Sequence, residues 1–408
     1  MDATSIALRP DVRDYALLGG RYTVDGWLEQ GAVAATLVLA EAQRRAGVSG
    51  PAVEIGVHHG LYFLLLALVS EGGLAIDVFE DQHLNVDGSG KGDRAIFERH
   101  LARLHPSPEA VRIERADSLA TSGEELDAWL EGRAPRLFSV DGGHTSRHAQ
   151  HDLELATEIG SETSVIIVDD FENPAWPGVG VGVERFFGGD DRGFRPLALG
   201  DNKLYVVHES HLATYGEAIG NAAAACGALR ERIELFGHPV QRIDFADPLD
   251  VLDAEARSTL ARDPDNASGR FAPDARHVAR LETGWSDVEP SGVWSQAETA
   301  RLGILMIGDG ARETAAHFRL HAFCPKETEP LDVDVSIEGD RLATWRFDDP
   351  ESCDRTLRIP AKLTEAGQWQ SLEFSIQNPR SPRELGLSDD DRTLGIALEA
   401  FHLVDGDG

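Results

Sequence analysis

The sequence predicts an α/β domain, built on a doubly wound and mostly parallel sheet of Rossmann-like type, followed by an all-β sandwich. Three observations carry this. Between residues 51 and 210, short apolar runs alternate with helical stretches, and strands apolar along their whole length are buried on both faces, as in a parallel sheet covered by crossover helices. After about residue 281 the apolar pattern changes to period two, which marks strands with one face in a core. A chain of 408 residues also exceeds one typical domain. The expected division is 1–245 for the α/β domain, 246–280 for a connector and 281–408 for the sandwich.

In chain order, residues 1–50 read as helical, chiefly DGWLEQGAVAATLVLAEAQRRAG, with Asp25 placed to cap the start and Gly47 to end it. The runs AVEIGV, LAIDVFE, VRIERAD, RLFSVDGG, SVIIVDD and KLYVVHE follow as strands. LYFLLLALVSEG, GDRAIFERHLARL, GEELDAWLEG and SRHAQHDLELATEIG are the helices between them. Residues 211–245, with YGEAIGNAAAACGALRERIELFG, also read as helical. The connector is rich in Asp, Ala, Arg and Pro. Beyond it, LDVDVSIEG puts Leu331, Val333, Val335 and Ile337 on one face and Asp332, Asp334, Ser336 and Glu338 on the other. AHFRLHAF, WQSLEFSI and LGIALEAFHL alternate in the same way.

The formal net charge of −32 argues against nucleic-acid partners, whose sites need clustered Lys and Arg, and against docking on an anionic membrane. No apolar run approaches the ~20 residues that span a bilayer. The start, MDATSIALRPDVRDY, lacks a basic segment followed by an apolar one, so no signal peptide is expected. Cys226, Cys324 and Cys353 are odd in number and widely spaced, which fits a reducing cytoplasm better than a disulfide framework or a zinc site. Assembly into a homo-oligomer is left open.

The first chemical signal is VEIGVHHG, which sets Glu54, Gly56 and Gly60 around a strand end. Glycines there allow a tight turn and close approach of a ligand to the backbone. The spacing is E-x-G-x-x-x-G, not the G-x-G-x-x-G of a dinucleotide fold. The next strands end in Asp77, then Asp117 and Ser118, then Asp141. Polar groups at successive strand ends point to a ligand crevice along that edge, and an acid at Asp77 suits ribose hydroxyls.

The second signal is VIIVDDFENPAWPG. Asp169 and Asp170 end the fifth strand beside Asp141 of the fourth. Neighbouring strands lie about 4.8 Å apart, so the three carboxylates can converge. Oxygen ligands without cysteine suit Mg²⁺, Mn²⁺ or Ca²⁺; a cap or an Asx-turn is the alternative reading of the pair. His144 in DGGHTSRH stands where a general base could take a proton from a hydroxyl. Asn173 and Trp176 follow, Trp176 serving either as an acceptor wall or as an apolar plug. The polar loop DQHLNVDGSGKGDRAIF has the character of a lid, with Gln82, Asn85, Asp87, Ser89 and Lys91 as candidate acceptor contacts.

VEIGVHHG, AIDVFEDQ, ADSL, DGGHT and VDDFENPAWPGV, in this order over roughly residues 25–210, resemble a class I S-adenosylmethionine-dependent methyltransferase. The nearest resemblance is to the metal-dependent, macrocin-type sugar O-methyltransferases. It implies that Glu54, Gly56 and Gly60 surround the methionine part of S-adenosylmethionine, that Asp77 holds the ribose, and that Asp117 and Ser118 lie near the adenine. It also implies Mg²⁺ on Asp141, Asp169 and Asp170. The C-terminal phrase SPRELGLSDDDRTLGIAL resembles a β-sandwich module appended to bacterial polysaccharide glycosyltransferases. Trp285, Trp294, Trp345 and Trp369 could offer stacking platforms or fill the core, and SDDDR could hold Ca²⁺ or be a solvated turn. The expected function is methylation of a sugar hydroxyl in surface-polysaccharide or glycan biosynthesis. The rivals are the same chemistry on a small catechol-like acceptor, and a non-catalytic glycan-binding scaffold.

Overall fold

The computed structural model describes residues 6, 8–325, 328–351 and 353–405. Residues 1–5 and 7, on which the signal-peptide reading partly rests, lie outside them. The chain forms two compact units, one of residues up to 16 and 24–253, the other of residues 17–23 and 254 onward.

Among the described residues, the first unit is built on nine strands: β1 Ala52–Ile55, β2 Gly73–Asp77, β3 Val111–Arg115, β4 Leu137–Val140, β5 Val165–Val168, β6 Phe194–Gly200, β7 Lys203–His208, β8 Leu229–Leu235 and β9 His238–Ile243. Their order is β3-β2-β1-β4-β5-β7-β6-β9-β8. The pairings among β1 to β5 are parallel, and β7 joins β5 antiparallel. Every residue of β1, β4 and β5 is buried, as the uninterrupted apolar runs require. Val53, Phe138, Ile166 and Val168 share one core with Leu153, Val183 and Phe186 from the flanking helices Ser146–Ile159 and Pro177–Phe187. Strand order reverses between β1 and β4, so the chain leaves these two strands in opposite directions. A crevice opens at their C-terminal ends.

Two stretches differ from the sequence reading. Helix is confined to Leu212–Ala225, and 229–243 is the β8–β9 hairpin. Phe236 and Gly237 turn it with φ of 53° and 78°, the left-handed pair of a two-residue hairpin. Pro239 also opposes a helix there. The second addition is β6, which pairs with β7 through Asp201 and Asn202, at φ of 48° and 67°. Residues 246–280 contain a 3-10 turn at Pro248–Val251, a helix at Ala254–Arg262 and a short strand at Ser268–Arg270.

The second unit is a pair of antiparallel sheets. One runs Trp285–Glu289, Gly292–Ser295, Ile396–Asp405, Thr314–Ala322 and Cys353–Ile359, with Ser268–Arg270 also on Ile396–Asp405. The other runs Arg280–Thr283, Thr299–Leu305, Trp369–Gln377, Leu331–Ile337 and Asp340–Phe347. Phe318 of the first meets Trp345 and Phe374 of the second, with ring centroids 5.8 and 6.1 Å apart. That contact defines a sandwich. Trp285 and Trp345 are buried in its core, and the Arg280 guanidinium covers the Trp369 ring at 3.8 Å. In the SDDDR turn, Asp390 is paired with Arg392 and Asp391 with Arg383.

One buried acid makes a stability prediction. Asp152, on the helix Ser146–Ile159, has no solvent exposure. Burial pushes its carboxyl up to about 7, partly offset by the Ser118 hydroxyl. A group with a raised folded pKa contributes stability that is complete below its unfolded value, near ~3.9, and lost as pH rises through the folded value. Between pH 5 and 8 this residue should therefore remove roughly 3 kcal/mol of stability. Urea denaturation at both pH values checks it: Asp152→Asn should flatten most of that fall, and an unchanged fall would refute the assignment.

Candidate active site

The C-terminal ends of the parallel strands open into one cavity of about 490 Å³, within the range of small-molecule sites. Gly56, with φ of 89°, stands at the end of β1. A Cβ there would come within 1.8 Å of the Asp141 carbonyl oxygen, so the ends of β1 and β4 meet backbone to backbone only because this residue is glycine. Asp77 lines the cavity from the end of β2. Its carboxylate accepts the backbone N–H of His58 at 2.8 Å and of Phe79 at 2.6 Å. Burial raises its pKa, and these N–H donors oppose that. Asp117 and Ser118 line the next stretch of wall. Asp117 caps the turn after β3 by accepting the Leu119 N–H at 3.0 Å.

Two glycine-motif residues stand behind the wall. Glu54 is buried within the sheet and does not line the cavity. Burial, reinforced by Asp141, holds its carboxyl well above the ordinary carboxylate range. Gly60 starts the helix Leu61–Leu68 at φ 93°, and a Cβ there would strike the Phe97 ring at 2.5 Å. It is required for packing and likewise does not line the cavity.

The polar centre gathers at the ends of β4 and β5. Ligating atoms of Asp141, His144 and Asp170 all lie within 4.8 Å of one another. His144 Nε2 is 3.0 Å from Asp170 Oδ2 and 3.8 Å from Asp141 Oδ1. Burial favours the neutral ring, but these carboxylates outweigh it and raise its pKa to about 10. Asp141 is pushed up to about 7 by burial and then by Asp169. Asp170 is lowered, because hydrogen bonds from His144 and Asn173 overcome its burial.

Asp169 stands apart from that trio. One of its oxygens is paired with buried Lys203 Nζ, and the other accepts the Asp170 N–H at 2.8 Å. Asn173 donates from Nδ2 to Asp170 Oδ1 at 2.7 Å, so it orients that carboxylate. Trp176 lines the cavity, packs against the core and stacks on His144 with centroids 4.5 Å apart and planes 17° from parallel.

The loop after β2 lies over the histidine. Asp87 Oδ2 accepts both the His144 backbone N–H and its Nδ1–H, each at 2.9 Å. Its Oδ1 accepts the Ser89 N–H and hydroxyl. Asp87 is thus a partner of His144. Asn85 lines the cavity while its amide holds the Ser89 carbonyl at 2.6 Å. Gln82 braces the same loop through the Phe79 carbonyl and does not line the cavity.

Sequence reasoning missed Lys203 and Asn202. Asn202 Nδ2 donates to Asp170 Oδ1 at 2.7 Å. The signal was Asp-Asn between two apolar runs in LALGDNKLYVV, a two-residue hairpin signature. That hairpin returns its strand antiparallel to β5 and sets Lys203 beside Asp169.

Residues 53–171 match the family model described as "Methyltransferase domain". The first unit therefore carries a methyltransferase domain. No curated protein matches the sequence. Among solved structures, the chain is similar to the apo form of CalS11, a TDP-rhamnose 3'-O-methyltransferase of calicheamicin biosynthesis. Identity is 17%, covering 44% of this chain and 81% of that one, with a TM-score of 0.32. It is similar to the O-methyltransferase NovP at 14% identity over 43% and 78% of the two chains, TM-score 0.35. A carbohydrate-binding module CBM36 in complex with calcium and xylotriose matches at 16% over 31% and 87%, TM-score 0.19. Likeness at these scores assigns no substrate and no metal.

Proposed function

We propose that the first unit transfers a methyl group from S-adenosylmethionine to a sugar hydroxyl with the help of a divalent cation. The observation that carries this reading is the meeting of Asp141, Asp170 and His144 at the wall of the same cavity that Gly56 and Asp77 line, inside a methyltransferase domain. S-adenosylmethionine supplies an electrophilic methyl group. The resemblance of DGGHT and VDDFENPAWPGV to sugar O-methyltransferases selects the acceptor. The sandwich points to surface-polysaccharide or glycan assembly, on cytoplasmic precursors. Among the described residues, no helix is long and apolar enough to cross a membrane.

The donor set fits a hard cation. Asp141 and Asp170 offer oxygen ligands whose charge the His144 ring and buried Lys203 now offset, and Asp169 adds negative charge beside Asp141. When bound, Mg²⁺ or Mn²⁺ would neutralise these carboxylates and acidify a hydroxyl beside it. The remaining steps belong to the chain. Asp87 holds Nδ1–H of His144, which leaves Nε2 facing Asp170 and the cavity. The carboxylates now hold the ring protonated, with its pKa raised to about 10; with their charge neutralised by a cation, Nε2 would be the atom that takes the hydroxyl proton. Trp176 covers one face of the ring and fixes its plane. Asn173 and Asn202 fix Asp170, so the geometry is set before the acceptor arrives.

Transfer of isotope-labelled methyl from S-adenosylmethionine tests the reading, with nucleotide-linked sugars and a catechol as acceptors, in Mg²⁺ and in EDTA. The expected result is methylated sugar that EDTA abolishes and Mg²⁺ restores. Methylation of the catechol alone would refute the sugar, EDTA-insensitive transfer would refute the cation, and absence of cofactor binding by calorimetry would refute the whole reading. Asp77→Ala should weaken S-adenosylmethionine binding by roughly 10- to 100-fold, the worth of hydrogen bonds to a charged group. An unaltered dissociation constant would remove Asp77 from the cofactor site.

A further inference from the structure

A second set of metal-type donors stands apart from the acidic centre. Asp25, His58 and His59 place one ligating atom each within 4.8 Å of the others. Their placement comes from the backbone. Successive side chains in an extended segment point to opposite sides, but His58 has φ of 52°, a left-handed conformation. The two rings come to lie on one side with centroids 3.8 Å apart. Non-glycine residues held in that region cost about 1–3 kcal/mol and gather at functional sites.

Both Nδ1 atoms are buried and, among the described residues, without a hydrogen-bond partner. Buried ring nitrogens ordinarily find one. His59 Nδ1 stands 3.4 Å from Asp25 Oδ2, too far for a good hydrogen bond. Three donors around one tetrahedral ion at ~2.0–2.1 Å are spaced by roughly 3.3 Å. The donors, now within 4.8 Å of one another, would draw together and the two rings would tilt apart to reach that spacing. The Asp25 side chain is 76% exposed, so a fourth position would face solvent.

We propose that Asp25 Oδ2, His58 Nδ1 and His59 Nδ1 bind a transition-metal dication of the zinc class at the mouth of the cavity. Two imidazoles and one carboxylate select Zn²⁺, Co²⁺ or Ni²⁺ over Mg²⁺ and Ca²⁺, whereas the oxygen donors of Asp141 and Asp170 favour the harder ions. The two sites thus sort cations by ligand. An ion here ties Asp25, two residues before the cavity-lining Trp27, to the loop that carries Gly56. It also fixes His58, whose N–H holds Asp77. This inference does not depend on the acceptor or the reaction proposed above.

The test is titration of Co²⁺ into metal-stripped full-length protein in excess Mg²⁺, followed by visible d–d absorption, with Zn²⁺ as competitor. One equivalent should bind and be displaced by Zn²⁺. Loss of outer partners alone costs metal sites ~10–100-fold, so Asp25→Asn and His59→Gln should each weaken binding at least 10-fold, while Asp170→Asn should leave it intact. Asp25→Asn alters an exposed carboxylate and keeps the test valid if His59→Gln fails to fold. Binding unchanged in Asp25→Asn and His59→Gln, or lost in Asp170→Asn, would overturn the proposal.

Discussion

Asp170→Asn should lower kcat at least ~100-fold, on the scale of a lost general-base or metal contribution, while leaving the fold and cofactor affinity nearly unchanged. Asp170 has φ of 57°, a conformation that Asn accepts almost as readily as Asp. The amide oxygen can still accept from Asn173 and Asn202, which now share Asp170 Oδ1. What disappears is the charge that His144 Nε2 and a cation both require. Asp170→Ala would lose those acceptors as well and add backbone strain, so it is the poorer test. The measurements are single-turnover methyl transfer across a Mg²⁺ titration, with S-adenosylmethionine binding by calorimetry as the control. Wild-type turnover at limiting Mg²⁺ would remove Asp170 from the centre. A parallel fall in cofactor affinity would mean that the substitution disturbed the cavity wall.

The parts of this site that were legible in the sequence lie on parallel strands. Each apolar run ends where its polar residue begins, so Asp77, Asp141 and Asp170 could be placed at one sheet edge by counting strands. The parts that were not legible come from antiparallel returns and from loops. Lys203 reaches Asp169 only because β7 folds back along β5. Asp87 meets His144 across 57 residues, a contact that no local period encodes. The stretch 229–243 was lost for a different reason. The Ala-rich helix before it reads on smoothly into LRERIEL, whose period-two alternation is only half-buried on the sheet edge. Glu54 shows a further limit. The motif gave its strand correctly, but whether a mid-strand side chain faces a ligand or a neighbouring strand depends on the sheet's tertiary packing.

Lys203→Met should destabilise the first unit by about 3–5 kcal/mol, the cost of removing one partner from a buried ion pair. Lys203 is buried beneath the site, paired with Asp169 and set over the Tyr62 ring at 4.5 Å. Asp141 and Glu54 also sense its charge. Methionine matches the stem in volume, so packing changes little and the loss is electrostatic. For a unit of this size the melting temperature should fall by roughly 6–20 °C. Lys203→Met combined with Asp169→Asn should recover most of that fall, because the uncompensated carboxylate goes with its partner. Differential scanning calorimetry of the two single variants and the double variant measures the coupling. Additive losses would show that Asp169 and Lys203 act independently. The double variant also separates the two roles open to Asp169. A carboxylate that serves only as the counterion of Lys203 can be removed with it and leave Mg²⁺-dependent turnover in place. If Asp169 is a cation ligand, as its place beside Asp170 first suggested, stability returns in the double variant but the response to Mg²⁺ does not.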